Sequence, residues 1–274
     1  PRRLSSIVAK ISLQIQCKLG GELWGCPTPY AGLMVVGIDV YHDASRLEGS
    51  VAAICSSTNH SFSLWHSQSL SPQGKGQELI DTLKIAFIEC LRAYRARNNV
   101  WPRSVVVFRD GIGNAQINVS AQTEITSLKS ALKAVVEPNE TVPKYAFVIV
   151  QKRINTRFWT VPSSSLSSTM SNPKPGTVVD TVVTRTNHKE FFLISQNVRQ
   201  GTVSPTHFIV VEASENLKPD TVQCIAYKLT HMYFNWPGTI RVPAPCLYSH
   251  KLASLIGEHL HQNPTMLQER LFYL

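Results

Sequence analysis

The chain reads as an α/β protein, a mixed sheet with helices packed against it. Apolar runs of strand length at 33–39, 104–110 and 145–150 alternate with stretches of helical periodicity. Two of these runs end in an aspartate, Asp39 and Asp110. With 43% hydrophobic against 16% charged residues, the 274-residue chain has the composition of a folded globule and the length to bury a core.

A helix is expected from Ser5 to about Cys17, before a Gly20-Gly21 break. Strand 33–39 comes next, then strands at 49–56 and 61–70 joined by a tight polar turn around Thr58-Asn59-His60, which reads as a hairpin. In the helix expected over 76–97, Leu79, Leu83, Phe87, Cys90 and Tyr94 recur at three- and four-residue steps, and Asn98-Asn99 closes it. Strand 104–109 leads through Asp110-Gly111-Ile112-Gly113 into a helix over 121–136 and a strand over 145–150. A three-strand meander followed by helix, strand, helix and strand is the order of a ribonuclease H-like mixed sheet flanked by helices. On pattern alone other α/β folds fit as well. Strands at 176–184, 190–194 and 207–211 and helices at 219–234 and 249–261 complete the expectation, with the serine-rich 163–171 as a mobile surface loop. Without an internal repeat or long linker, one compact unit is the simpler organisation.

A net charge of +9 favours an anionic partner, nucleic acid ahead of a membrane because no basic amphipathic stretch stands out. The six cysteines are scattered with no CxxC spacing, which argues against a zinc site or a disulfide framework and for a reducing compartment, cytoplasmic and/or nuclear. No apolar stretch is long enough to span a bilayer, and Pro1-Arg2-Arg3-Leu4 lacks the core of a signal peptide, so secretion is not expected. Pro1 in place of an initiating methionine leads to the expectation of a piece of a longer protein.

Asp39 and Asp110 are the primary chemical candidates. Carboxylates where a sheet meets solvent can converge on a divalent cation, as in metal-dependent phosphodiester chemistry. Singly, each is also an ordinary strand-end or turn aspartate. Glu78, after Gly74-Lys75-Gly76, reads equally as a first-turn carboxylate favoured by the helix dipole, and His250, at the opening of the last helix, as a packed or surface histidine. Gln151, Lys152, Arg153 and Arg157 follow a strand near Asn155 and Phe158-Trp159. A basic, amide-rich cluster beside rings suits backbone phosphates, a solvated charge run being the alternative.

Several segments closely resemble the Piwi domain of the Piwi clade of Argonaute proteins. They include Val36-Gly37-Ile38-Asp39-Val40-Tyr41-His42-Asp43, Phe108-Arg109-Asp110-Gly111-Ile112-Gly113 and Val242-Pro243-Ala244-Pro245-Cys246-Leu247-Tyr248-Ser249-His250-Lys251. Gln77-Glu78-Leu79, Lys152-Arg153-Ile154-Asn155-Thr156-Arg157-Phe158, Gly201-Thr202-Val203-Ser204-Pro205-Thr206-His207 and Leu271-Phe272-Tyr273-Leu274 belong to the same likeness, which runs in family order from about Lys10 to Leu274. The resemblance implies residues 1–30 as the end of a middle domain with a lead-in segment, and 31–274 as the Piwi domain.

The resemblance further implies a small-RNA-guided endoribonuclease of RNA silencing. The family's Asp-Glu-Asp-His tetrad falls on Asp39, Glu78, Asp110 and His250, which would hold two Mg2+ (or Mn2+) ions, one activating water and one stabilising the leaving 3′ oxygen. Glu78 would complete the site once guide and target pair. Gln14, Lys18 and the carboxylate of Leu274 match positions around the guide's 5′ phosphate, the last through a metal. Glutamine at 14, where most Argonautes outside the clade carry lysine, makes a metal counter-ion more necessary there. Implied partners are a small guide RNA (a piRNA), a complementary target RNA and silencing-complex proteins, with no membrane. The rival function is a guided RNA-binding module that silences by recruiting partners without cutting. Unguided cleavage of hybrids would leave Gln14, Lys18 and the C-terminal feature without a role.

Overall fold

The computed structural model describes residues 2–41, 50–70, 77–113, 117–138, 140–161, 170–185, 189–215 and 217–274. The loop expected at 163–171 lies outside these residues up to 169, and the side chains of 77–80, Glu78 among them, are likewise outside the description.

The elements follow in the order α1 (Arg2–Lys18), β1 (Leu33–Tyr41), β2 (Val51–Ser57), β3 (Trp65–Leu70), α2 (Gln77–Asn98), β4 (Ser104–Asp110), α3 (Ile117–Val135) and β5 (Lys144–Gln151). They continue as β6 (Thr177–Val179), β7 (Lys189–Ile194), β8 (Thr206–Ala213), α4 (Pro219–Leu229) and α5 (Ala244–Leu255), which runs on into a π-helical turn at Ile256–Leu260. The strands form one sheet in the order β3-β2-β1-β4-β5-β8-β7-β6. β1, β4 and β5 are mutually parallel at its centre and the remaining pairings are antiparallel. This is the expected mixed ribonuclease H-like sheet.

Parallel central strands are covered on both faces, which is why their sequences are nearly unbroken in valine, isoleucine and phenylalanine. Met34, Val36, Ile38, Val105, Val107, Phe147 and Ile149 face α2 and α3, meeting Phe87, Cys90, Leu91, Tyr94, Ile125, Leu128 and Leu132. Leu33, Val35, Val106, Phe108, Val148 and Val150 face the other way, toward Val222, Ile225 and Leu229 of α4 and Tyr248 and Leu252 of α5. Each such large side chain contributes about 1.5–3 kcal/mol by leaving water. No helix among the described residues is long and apolar enough to cross a membrane.

Four of the boundaries that differ from expectation do so for evident local reasons. β3 begins at Trp65 because Asn59 Oδ1 accepts the N–H groups of Ser63 (3.0 Å) and Leu64 (3.1 Å), so the hairpin has a longer, side-chain-held loop rather than a tight turn. β6 stops at Val179, before Val182 turns the chain at φ 67°. α4 ends at Leu229, not Phe234, because the Tyr248 hydroxyl donates to Met232 O (2.7 Å) and accepts from Phe234 N (3.0 Å), holding that segment off helical geometry. α5 begins at Ala244, five residues before the expected start, with Pro245 in the first turn, where its missing N–H has no helical partner to lose. His250 therefore lies within the last long helix instead of opening it.

Candidate active site

The carboxylate pair follows from strand register. β1 and β4 are parallel with Ile38 opposite Arg109, so the next step along both strands sets Asp39 beside Asp110. Alternation puts both aspartates on the α5 face, in phase with Val35 and with Val106 and Phe108, and points Ile38 and Arg109 to the α2/α3 face. β1 continues to Tyr41 on β2 alone, so Asp39 sits where β1 loses its β4 neighbour rather than at its own end. Asp39 is 6% exposed and Asp110 1%.

On α5, His250 Nδ1 lies 2.7 Å from Asp39 Oδ2, so Nδ1 is the donor, and in the neutral ring Nε2 keeps the lone pair a metal can use. Asp39 Oδ1 accepts the Val40 N–H at 2.9 Å. Gly111 follows Asp110 at φ +88°, and a Cβ there would stand 3.2 Å from Asp39 Oδ1, so the turn after β4 closes over the first carboxylate.

Asp110 is differently placed. Its pKa is raised, first by burial and further by the Asp39 charge, against the opposing pull of Lys152. The Lys152 ammonium lies 2.5 Å from Oδ2, an ion contact in which Oδ2 is buried and receives no well-aligned hydrogen bond. Of the basic cluster expected to meet RNA, Lys152 is thus turned onto a candidate metal ligand. Arg153 is exposed, and Arg157 donates to the carbonyls of Ile154 (2.9 Å) and Thr156 (2.7 Å) within its own loop.

Two supporting groups escaped the sequence reading. Arg109 Nε donates to both oxygens of Glu124 at 2.9 and 3.0 Å, and its guanidinium also bonds the Asp110 carbonyl, fixing the strand end from the opposite face. Arg241 donates to the carbonyls of Lys152 and, at 3.2 Å, Pro205, so it pins the backbone from which Lys152 reaches Asp110. The available signal for Arg241 was a cation just before the apolar 242–248 run. For Glu124 there was none, since a helix-face glutamate is ordinary.

The structure brings Asp39, Asp110 and His250 together. Among the described residues no three carboxylate, imidazole or thiol groups form a ready metal cluster, and the Glu78 side chain is outside the description. The donors present nevertheless fit a hard divalent cation: two adjacent carboxylates, one with a buried oxygen whose neighbour at 2.5 Å is the ammonium of a part-exposed lysine, and an imidazole whose Nε2 offers a lone pair in the neutral ring.

A second polar group gathers the other expected residues. Gln14 Nε2 donates to Asn235 Oδ1 at 2.8 Å and Lys18 Nζ to the Phe272 carbonyl at 2.7 Å, which binds the end of α1 to the segments after α4 and at 271–274. Leu274 is buried, its N–H donating to Leu271 O at 3.2 Å. Asn235 was not expected from sequence.

Comparison with known proteins identifies the family and agrees with the fold. The Piwi domain family matches residues 1–261. Piwi-like protein 1 of Danio rerio is 43% identical over 275 aligned positions, covering 100% of this chain and 31% of that protein. Piwi-like protein Ago3 of Bombyx mori is 42% identical over 99% of this chain and 29% of its own length. This chain thus spans about a third of the curated relatives it matches. The crystal structure of Drosophila Piwi superposes with a TM-score of 0.81 at 33% identity, covering 100% of this chain and 36% of that one. Kluyveromyces polysporus Argonaute with a guide RNA superposes at 0.80 over 97% of this chain and 34% of its own, at an identity of 21% that shows the fold alone. With the family match over nearly the whole chain and the carboxylates and histidine in one place, this chain belongs to the Piwi domain family.

Proposed function

We propose that this Piwi domain is the cleaving unit of a small-RNA-guided endoribonuclease, residues 1–30 being the end of the preceding middle domain. The observation that supports it most is the placement of Asp39 and Asp110 side by side, with His250 donating to Asp39. Bound Mg2+ or Mn2+ would supply activation of water and stabilisation of the leaving oxygen. The chain's own contribution is to hold that charge on Asp39 and Asp110, to orient His250 so that Nε2 completes the donor set, and to bring Glu78 in from the start of α2 on pairing. Arg153, Arg157 and Lys152 are assigned to nucleic-acid backbone. Gln14 and Lys18 are assigned to the guide's 5′ phosphate together with the carboxylate of Leu274 and a metal ion. Asn235, hydrogen-bonded to Gln14, joins them. The partners in this reading are a guide RNA, its complementary target and silencing-complex proteins, in the cytoplasm and/or nucleus. A guide RNA in the Kluyveromyces polysporus structure of the same fold supports the guide.

The second reading, a guided module that binds without cutting, is favoured by the Lys152–Asp110 contact, which occupies one carboxylate. Single-turnover cleavage of a fully paired target by the intact protein, with Mg2+, separates the two. One Mg2+-dependent cut is expected, slowed on the order of a hundredfold or more by Asp39→Ala with guide and target binding nearly unchanged. A parent protein that binds but never cuts selects the second reading, and appreciable cutting by Asp39→Ala removes Asp39 from the chemistry.

A further inference from the structure

We propose that Lys152 is an internal counter-ion for the metal position: its ammonium stands where a divalent cation is to bind Asp110, and entry of the cation displaces it toward the nucleic-acid side. This rests on the metal-binding reading above.

The contrast with Arg109 carries the argument. Arg109–Glu124 is a permanent pair, with both side chains buried at 8% and 10% exposure and both carboxylate oxygens receiving the guanidinium Nε. Lys152–Asp110 joins a carboxylate of 2% exposure to a lysine of 32% exposure, with the ammonium 2.5 Å from Oδ2. Such a pair compensates the buried charge through a single point contact from a side chain that partly faces solvent. The backbone of Lys152 is fixed by Arg241, so only its flexible, partly solvated stem has to move. Two cations at one oxygen repel each other strongly in a poorly solvated site, so occupancy by one disfavours the other. Ammonium and metal therefore compete for Asp110 Oδ2.

The competition has two consequences. Apparent metal affinity is lowered by the fraction of time that the ammonium occupies the site. The released ammonium becomes available to a phosphate, so metal and RNA strengthen each other's binding reciprocally.

The test uses Mn2+ alone as probe on the intact protein, with free Mn2+ followed by electron paramagnetic resonance and Asp110→Asn defining the site. Lys152→Met should bind Mn2+ at this site about tenfold more tightly than the parent, as for removal of an occupant present nine-tenths of the time, while Lys152→Arg should not. In the parent, amine-selective labelling of Lys152 read by mass spectrometry should rise when Mn2+ is added. Equal or weaker Mn2+ binding by folded Lys152→Met overturns the proposal. If that variant fails to fold, labelling that does not respond to Mn2+ overturns it. Absence of any Asp110-dependent Mn2+ binding in the parent overturns the metal reading itself, and this inference with it.

Discussion

Gly37 and Pro245 touch where β1 passes beneath α5: a Cβ on Gly37 would stand 2.2 Å from the Pro245 carbonyl carbon and oxygen. No side chain fits between strand and helix at this point, so α5 rests directly on the sheet and His250, further along the helix, comes down on Asp39. Gly37→Ala should therefore cost about 1–3 kcal/mol in urea unfolding and reduce cleavage by lifting His250 from its partner. Parent-like stability and activity would show that α5 does not depend on this contact.

The buried Arg109–Glu124 pair predicts a large stability effect away from the chemistry. Glu124→Ala leaves a guanidinium of 8% side-chain exposure uncompensated and should destabilise by about 3–5 kcal/mol in denaturant unfolding. Replacing both partners with apolar residues of similar volume should recover most of that loss. A single variant within about 0.5 kcal/mol of the parent would mean that the pair is dispensable.

His207 supplies a pH dependence. Its ring is stacked on Phe192 at 4.4 Å between centroids, with Nδ1 3.2 Å from Gln151 Oε1 and Nε2 3.2 Å from Glu190 Oε2, and Arg185 on the far side of Glu190. Burial lowers its pKa against the opposing pull of Glu190. A histidine depressed in the folded state stabilises the fold fully above its unfolded value of about 6.5, and this contribution is lost as pH falls through the lower folded value. His207→Phe should flatten the stability profile over that window in thermal unfolding. An unchanged profile would assign the acid sensitivity elsewhere.

Arg153 and Arg157, equivalent in sequence, should separate experimentally. Arg153→Glu should weaken RNA binding alike for all sequences and reduce the salt slope by about one, because an exposed arginine meets phosphate. Arg157→Glu should also lower the melting temperature, since it removes the donor to Ile154 and Thr156 carbonyls. Sequence-selective loss in Arg153→Glu would mean that this residue reads bases.

The central strands and the α2 stripe were legible because burial imposes a simple rhythm on them, and Asp39 and Asp110 because they interrupt it. The start of α5 was not: Ala244, Cys246, Tyr248, Ser249, Leu252 and Ala253 are buried around the helix, so no polar face marks its period, and Pro243 and Pro245 read as loop. The partner of Lys152 was also hidden, since a lysine after a strand looks the same whether it meets solvent, phosphate or a carboxylate. Gln14 with Asn235 is a contact across 221 residues, of the kind that only the assembled fold creates.

The distance along the chain between Asp39 and His250, 211 residues, also orders events during synthesis. Parallel neighbours such as β1 and β4 need a crossover between them, and α5 comes later still. A nascent chain translated only as far as β8 carries both aspartates but not the imidazole that orients the first of them. The nicking chemistry proposed for this domain would then be withheld from a chain that ends before α5, and a ribosome stalled there would display an inert sheet to the RNAs around it.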